Sequence, residues 1–284
     1  MKILRNSFFL LFVVLLFNFM PTKNVEAAEC TVTAGVYSEA EIKGGCEAEP
    51  DSYEVIIYEM YLCNTLPLIP STTTEADLSN CSQVFENTAG ATATVSGLDP
   101  IDLTGTYFKP PPGIYTYGYA RMDNTFTLKA SIKIDGSMDG LSSGSGVFCG
   151  TNSGSGNHAQ AASHTNSSVC GAAAITAGEF TETLTHFDGS GNPWQRVADA
   201  IDINNSSASI KGILVDTNRH LALNEGEVVK LEGLVKFADP VNITEATSSL
   251  TMSFNLGEAM FLNTGGADKI YIGSGPFQAI MTAN

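Results

Sequence analysis

The feature that most constrains this chain is a two-residue alternation running from residue 114 to residue 134. Pro110, Pro111 and Pro112 lead into Gly113, a stiff approach followed by a turn residue. Ile114, Thr116, Gly118, Ala120 and Met122 then fall on one face, and Tyr115, Tyr117, Tyr119 and Arg121 on the other. Successive side chains of a strand point to opposite faces, so this reads as a strand carrying a tyrosine stripe. Asp123 and Asn124 read as a turn. Beyond them Phe126, Leu128, Ala130, Ile132 and Ile134 alternate inward against Thr127, Lys129, Ser131 and Lys133. Two such runs a short turn apart predict a hairpin around which the rest packs.

The same period recurs along the chain. Residues 53–62, YEVIIYEMYL, form the strongest single strand, β-branched and aromatic. Glu54 and Glu59 fall on opposite faces there, which predicts that one sits at a strand end. Shorter strands are expected at 84–86, 91–95, 209–216, 227–237, 250–256, 269–272 and 277–281. Residues 179–187 set Thr181, Thr183 and Thr185 against Phe180, Leu184 and His186. One short helix is expected after Asn192 as cap and Pro193 at the first position, with Trp194, Val197 and Ile201 at helical spacing. Many short strands separated by turn signals predict an all-β fold: an antiparallel β-sandwich in two packed halves, with little helix.

Residues 136–169 break the pattern. They are rich in Gly, Ser and Asn and show no apolar periodicity, so they read as a long surface loop or linker and a candidate binding loop. The expected division is therefore a signal segment at 1–27, a sandwich at 28–135, a disulfide-pinned linker at 136–170 and a second sandwich at 171–284.

The first 27 residues read as a secretion signal. Lys2 and Arg5 give a basic start, residues 8–17 are apolar, and Val25 and Ala27 place apolar and small residues before a cut. That run is short for a membrane span, so a secreted or periplasmic chain without stable membrane insertion is expected, with cell-surface location open. Six cysteines follow: Cys30, Cys46, Cys63, Cys81, Cys149 and Cys170. An even count in an oxidising compartment implies disulfides, and pairing of sequence neighbours is favoured among the 15 arrangements. Zinc is the rival at Cys149, His158, His164 and Cys170, but their spacing matches no common finger, and no metal or other cofactor is expected.

Fourteen Lys and Arg against 30 Asp and Glu give a net charge of −16. Such a chain repels nucleic acid and anionic membrane. The remaining motifs carry little chemistry. Residues 140–144, GLSSG, spell a nucleophile elbow, but Gly and Ser follow where a helix is required. Asp135, Ser137 and Asp139 with Gly140, and Asp188, Ser190, Asn192 and Asp199, imitate parts of a calcium loop, yet the first lacks its final carboxylate and the second has Pro193 at the glycine position. Plain turns are expected at both. His158, His164, His186 and His220 have no local partners that spell a triad.

The order of a Tyr-rich strand, a cysteine-closed loop, a short strand and a PPGIYTYGY strand resembles the prealbumin-like sandwich modules of exported bacterial surface proteins, over residues 53–134. The resemblance implies a sandwich used for display, adhesion or stalk building and transfers no catalytic residue. The leading expectation is thus a structural or adhesive surface protein without catalysis, self-associating or bound to a surface glycan. The alternative is an extracellular carbohydrate- or ligand-binding module with Tyr115, Tyr117 and Tyr119 as the site, since exposed rows of aromatic rings stack on sugars. A secreted hydrolase ranks third.

Overall fold

The computed structural model describes residues 28–157, 167–189, 192–201, 209–264 and 268–284. The signal segment at 1–27 and the pair His158 and His164 lie outside the described residues. What is described is an all-β sandwich with several antiparallel sheets packed on one another, as expected. Sheet I is centred on Gly113–Lys129, a strand of 17 residues. Across it the order is Val197–Ile201, Ser209–Val215, Lys230–Ile243, Gly113–Lys129, Ser52–Cys63, Cys81–Val95 and Thr106–Tyr107. Sheet II runs Ala28–Glu29, Cys46–Ala48, Met260–Thr264, Lys269–Ser274, Ser131–Gly140, Ser145–Thr151 and Ser168–Gly171. A two-stranded ribbon, Leu250–Asn255 with Gln278–Ala283, lies beside them.

The turn expected at Asp123 and Asn124 is not a turn. The strand continues through it, because these residues form a bulge rather than a reversal. Val55 pairs with Phe126 and Ile57 with Met122, so three residues oppose one. The Asn124 side-chain Nδ2 donates to the Leu184 carbonyl at 2.9 Å, and the Leu184 amide donates to the Asn124 carbonyl at 2.6 Å, bridging the local break in the ladder. The bulge also changes neighbours on one edge: residues 113–123 pair with Lys230–Ile243, and residues 125–128 with Phe180–Thr183. Nor do the two runs form a hairpin: Gly113–Lys129 and Ser131–Gly140 do not pair, and at Ala130, a buried corner, the chain leaves sheet I for sheet II. Thr151 Oγ1 accepts from the Ala130 amide at 3.1 Å, and the Thr151 amide donates to its carbonyl. The inward row Phe126, Leu128, Ala130, Ile132 and Ile134 is buried as read from the alternation.

A second bulge corrects the reading of Ser52–Cys63. Tyr53, Val55 and Ile57 are buried, and after the irregularity at Tyr58 the buried positions become Met60 and Leu62. The parity flips, so Glu54 and Glu59 share the outward face and neither need end the strand.

The segment 136–170 is not a plain loop. It holds half of Ser131–Gly140, together with Ser145–Thr151, Gly154–Asn157 and part of Ser168–Gly171. The residues of the first calcium-like motif therefore lie in a strand. The glycines that suggested a loop are there because backbones meet. A Cβ at Gly150 would lie 2.7 Å from the Ala130 carbonyl oxygen, and one at Gly144, which has φ +79°, would lie 2.0 Å from that of Cys170. Nor does this segment separate the sheets: each draws strands from both sides of it. The expected helix is replaced by strands Asn192–Gln195 and Val197–Ile201, the latter completing a ladder with Ser209–Val215. Pairing along a sheet edge overrides a weak helical spacing. The three disulfides join Cys30 to Cys46, Cys63 to Cys81 and Cys149 to Cys170. The second and third staple residues that are direct partners across two strands.

Candidate functional site

The tyrosine stripe is inside the molecule. Tyr115 and Tyr119 are each 2% exposed. The Tyr115 hydroxyl donates to the Pro111 carbonyl at 2.8 Å, so the proline lead-in and the ring brace one another. Tyr119, Leu234 and Cys63 form a small core on the outer face of sheet I, with Tyr61 and Tyr117 against it. Ile69, Ala76 and Leu78, from the loop closed by Cys63–Cys81, pack over it. The aromatic platform that the sugar-binding alternative requires is therefore a covered face, and Tyr115 and Tyr119 offer no surface on which a sugar could stack.

Beside it lies a charged network. Arg121 Nη1 is 2.5 Å from Glu59 Oε2, and its Nε is 2.9 Å from Glu232 Oε1. The Tyr119 hydroxyl donates to Glu232, and the Tyr61 hydroxyl to Glu59 at 2.6 Å. Arg219, at the tip of a turn, reaches Glu59 at 3.1 Å and Glu75 of the covering loop at 3.6 Å. Burial pushes the Glu59 carboxyl up, but the Tyr61 hydroxyl and the two arginines outweigh it and hold it below its ordinary value. Burial prevails at Glu232, which is raised. Every charge here has a partner, so the network fastens the loop to the sheet.

The feature with the form of a binding site lies on the other face of sheet I. A cavity of about 570 Å³ separates that face from the ribbon Leu250–Asn255 and Gln278–Ala283 and from one end of sheet II. Pockets for small molecules span about 300–1,000 Å³ and are mostly apolar. Its floor is a row across three strands without bulky side chains. Gly212 pairs with Gly233, and Gly233 with Ala120. All three border the cavity. Phe187 leans over Gly212, where a Cβ would meet its ring at 2.7 Å. Met252, Phe254, Phe277 and Met281 close the opposite side. Phe277 packs edge-on against Phe254 and Phe126, with centroids 5.4 and 5.9 Å apart.

One end is polar. Glu47, Tyr53, Asn263 and Ser274 border it. Behind Ser274 lies Glu182, fully buried. It accepts from the Tyr271 hydroxyl at 2.5 Å, from the Ser274 amide at 2.6 Å and from the Ser274 hydroxyl. Tyr53 stands beside Ser274 and Glu182. Burial first, and the Glu182 charge second, raise its phenol well above the ordinary value, so it stays protonated. Among the described residues, no three His, Cys, Asp or Glu side chains converge as metal ligands.

The sequence reading did not find this cavity. Its one signal was glycine inside strand patterns, at Gly212 and at Gly233 in the inward row of Leu231, Val235 and Phe237. The other residues of interest are scattered. His220 borders a shallow surface depression with Glu75, Thr217, Asn218 and Arg219, and His186 is buried. Ser142 and Ser143 stand in the connection between Ser131–Gly140 and Ser145–Thr151, with a strand and no helix following. No family model matches the chain, and no curated protein and no solved structure matches it.

Proposed function

We propose that this is an exported, disulfide-stapled β-sandwich that binds a small apolar ligand between its sheets. The observation that carries the reading is the cavity bordered by Gly212, Gly233 and Ala120: about 570 Å³, mostly apolar, with Glu47, Tyr53, Asn263 and Ser274 at one end. A few convergent polar groups in an otherwise apolar pocket orient a ligand rather than merely admit it. Three disulfides fit an oxidising compartment, and no helix among the described residues is long and apolar enough to cross a membrane. Titration of the purified oxidised chain with the neutral fluorophore N-phenyl-1-naphthylamine tests this. Saturable, blue-shifted emission at one probe per chain is expected, and Ala120→Phe, which fills the floor, should abolish it while circular dichroism stays unchanged. Absence of saturation, or undiminished binding in a folded Ala120→Phe chain, overturns the reading.

One observation favours a second reading, a self-associating surface protein. Residues 91–95, ATATV, pair with 53–57 on one side only, and among the described residues no strand covers their other edge. Exposed edges are normally blunted by charge or proline, and this stretch has neither. The same edge in two copies can pair antiparallel as a closed dimer. Light scattering across a concentration series decides it: a dimer that Thr92→Lys dissociates supports the reading, and a concentration-independent monomer removes it.

A further inference from the structure

The polar end of the proposed pocket holds a hydroxyl that the fold itself does not use. Tyr53 is 1% exposed, and its ring lies against Phe126 and Phe277, with centroids 5.6 and 5.3 Å apart. All three rings border the cavity. Beyond the ring, the Tyr53 hydroxyl has no hydrogen-bond partner among the described residues. Ser274 stands beside it, outside hydrogen-bonding geometry, and gives both its amide and its hydroxyl hydrogen to Glu182. A buried hydroxyl without a partner is costly, and folded proteins rarely keep one. Asn263 at the same end has the same character: its Oδ1 accepts from the Thr264 amide at 2.6 Å, so what it can still offer is the Nδ2 donor. Both carboxylates here have partners, so neither is a vacant counter-charge for a ligand ammonium. Among the described residues that border the cavity, no Lys, Arg or His could neutralise an anion.

Resting on the reading of the cavity as a ligand site, we infer that it takes a neutral apolar molecule bearing a carbonyl oxygen, which accepts from the Tyr53 hydroxyl. The hydrocarbon body lies against Ala120, Gly212 and Gly233, and the oxygen supplies the partner that the phenol lacks. A molecule of the same shape without that oxygen leaves the hydroxyl unpaired. A charged one must be stripped of water with no opposite charge to meet it.

Displacement of bound N-phenyl-1-naphthylamine at pH 7 by acetophenone and by isopropenylbenzene tests the inference, because the two differ in a carbonyl oxygen against a methylene group. The pair is compared in the unaltered chain and in Tyr53→Phe, which removes one oxygen atom and keeps the ring contacts. Tyr53→Phe should raise the acetophenone concentration needed by about tenfold, the worth of one hydrogen bond, and that of isopropenylbenzene by less than about twofold. Equal shifts for the two overturn the inference while leaving the cavity reading intact. With no protein partner for the hydroxyl, the variant should resist urea at least as well as the unaltered chain. A loss of stability would show that the hydroxyl serves the fold, and so would overturn the inference. Benzoate and benzylamine, both charged at pH 7, should need at least about tenfold more than acetophenone, and equal displacement by either overturns it. In the unaltered chain alone, the infrared carbonyl stretch of bound, carbonyl-labelled acetophenone should fall below its value in hexane; a hexane-like frequency overturns the inference whether or not the variant folds. Failure of the probe to bind removes the cavity reading itself.

Discussion

Arg121 and Glu232 face each other across two neighbouring strands of sheet I, guanidinium Nε 2.9 Å from carboxylate Oε1, and Glu232 is 1% exposed. They are direct partners in the ladder between Gly113–Lys129 and Lys230–Ile243. The pair therefore fixes the register of the strand that carries the tyrosines.

Removing one member of such a pair is costly, because the other charge stays buried without it. Arg121→Leu is expected to lower stability by about 3–5 kcal/mol in urea unfolding. Adding Glu232→Leu should restore most of that loss, since replacing both charges by packed apolar groups is often close to neutral. A double variant as unstable as the single one would show that the cost comes from lost packing.

Acid should act on the same face. Glu59 and Asp123 both have carboxyls held below their ordinary values of 4.5 and 3.8. At Asp123 burial raises the value, and the Lys230 ammonium at 2.8 Å with the Tyr58 hydroxyl outweighs it. A depressed carboxylate contributes stability that is fully present above its ordinary value and is lost as pH falls through the folded one. Glu232 is raised, so its protonation begins earlier and favours the fold. Tm should therefore hold from pH 7 to about 5 and drop below about 4. Asp123→Asn should flatten the drop; superimposable acid profiles would remove Asp123 from the account.

The parts of this fold that could be read from sequence are those where one strand's alternation decides burial. The rows from Phe126 to Ile134 and from Phe180 to His186 came out as read, because each inward residue meets the core directly. The disulfides followed from neighbouring cysteines. What could not be read depends on partners far away in the chain. Asp123 and Asn124 look like a turn, and only Leu184 makes them a bulge. Alternation puts Tyr119 on the outer face, and only the loop holding Ile69 and Leu78, laid over it, decides that it is buried. The floor of the cavity brings together Ala120, Gly212 and Gly233 from three strands, which no local window contains.

The loop closed by Cys63–Cys81 is what keeps the tyrosine face dry. Replacing both cysteines by alanine opens an 18-residue loop. It should cost about 3 kcal/mol by the chain-entropy estimate. It should also make residues 64–80 the first site of limited proteolysis, with Tyr117 and Tyr119 becoming accessible to nitration. Resistance of that loop in the variant would mean that Arg219, Glu75 and the apolar contacts hold it without the staple.

The glycines of the 136–170 segment make a sharper test of why it was misread. If they are there for flexibility, replacing one with alanine should be harmless; if they are there for close approach, the cost should track the clash. Gly97 and Gly144 separate the two effects. Both have positive φ, +63° and +79°, but a Cβ at Gly97 meets nothing within 4 Å, whereas one at Gly144 lies 2.0 Å from the Cys170 carbonyl oxygen. Gly97→Ala should therefore cost only the left-handed strain, about 1 kcal/mol. Gly144→Ala adds a backbone collision that cannot be relieved by a rotamer change. Ser143 and Val169 bridge there, and the Cys170 amide donates to the Ser143 carbonyl at 3.1 Å, so the strands must part for the methyl group to fit. A loss exceeding that of Gly97→Ala by about 2 kcal/mol or more in urea unfolding is expected. Equal losses would mean that this stretch yields freely, and that its strands contribute little to holding sheet II together.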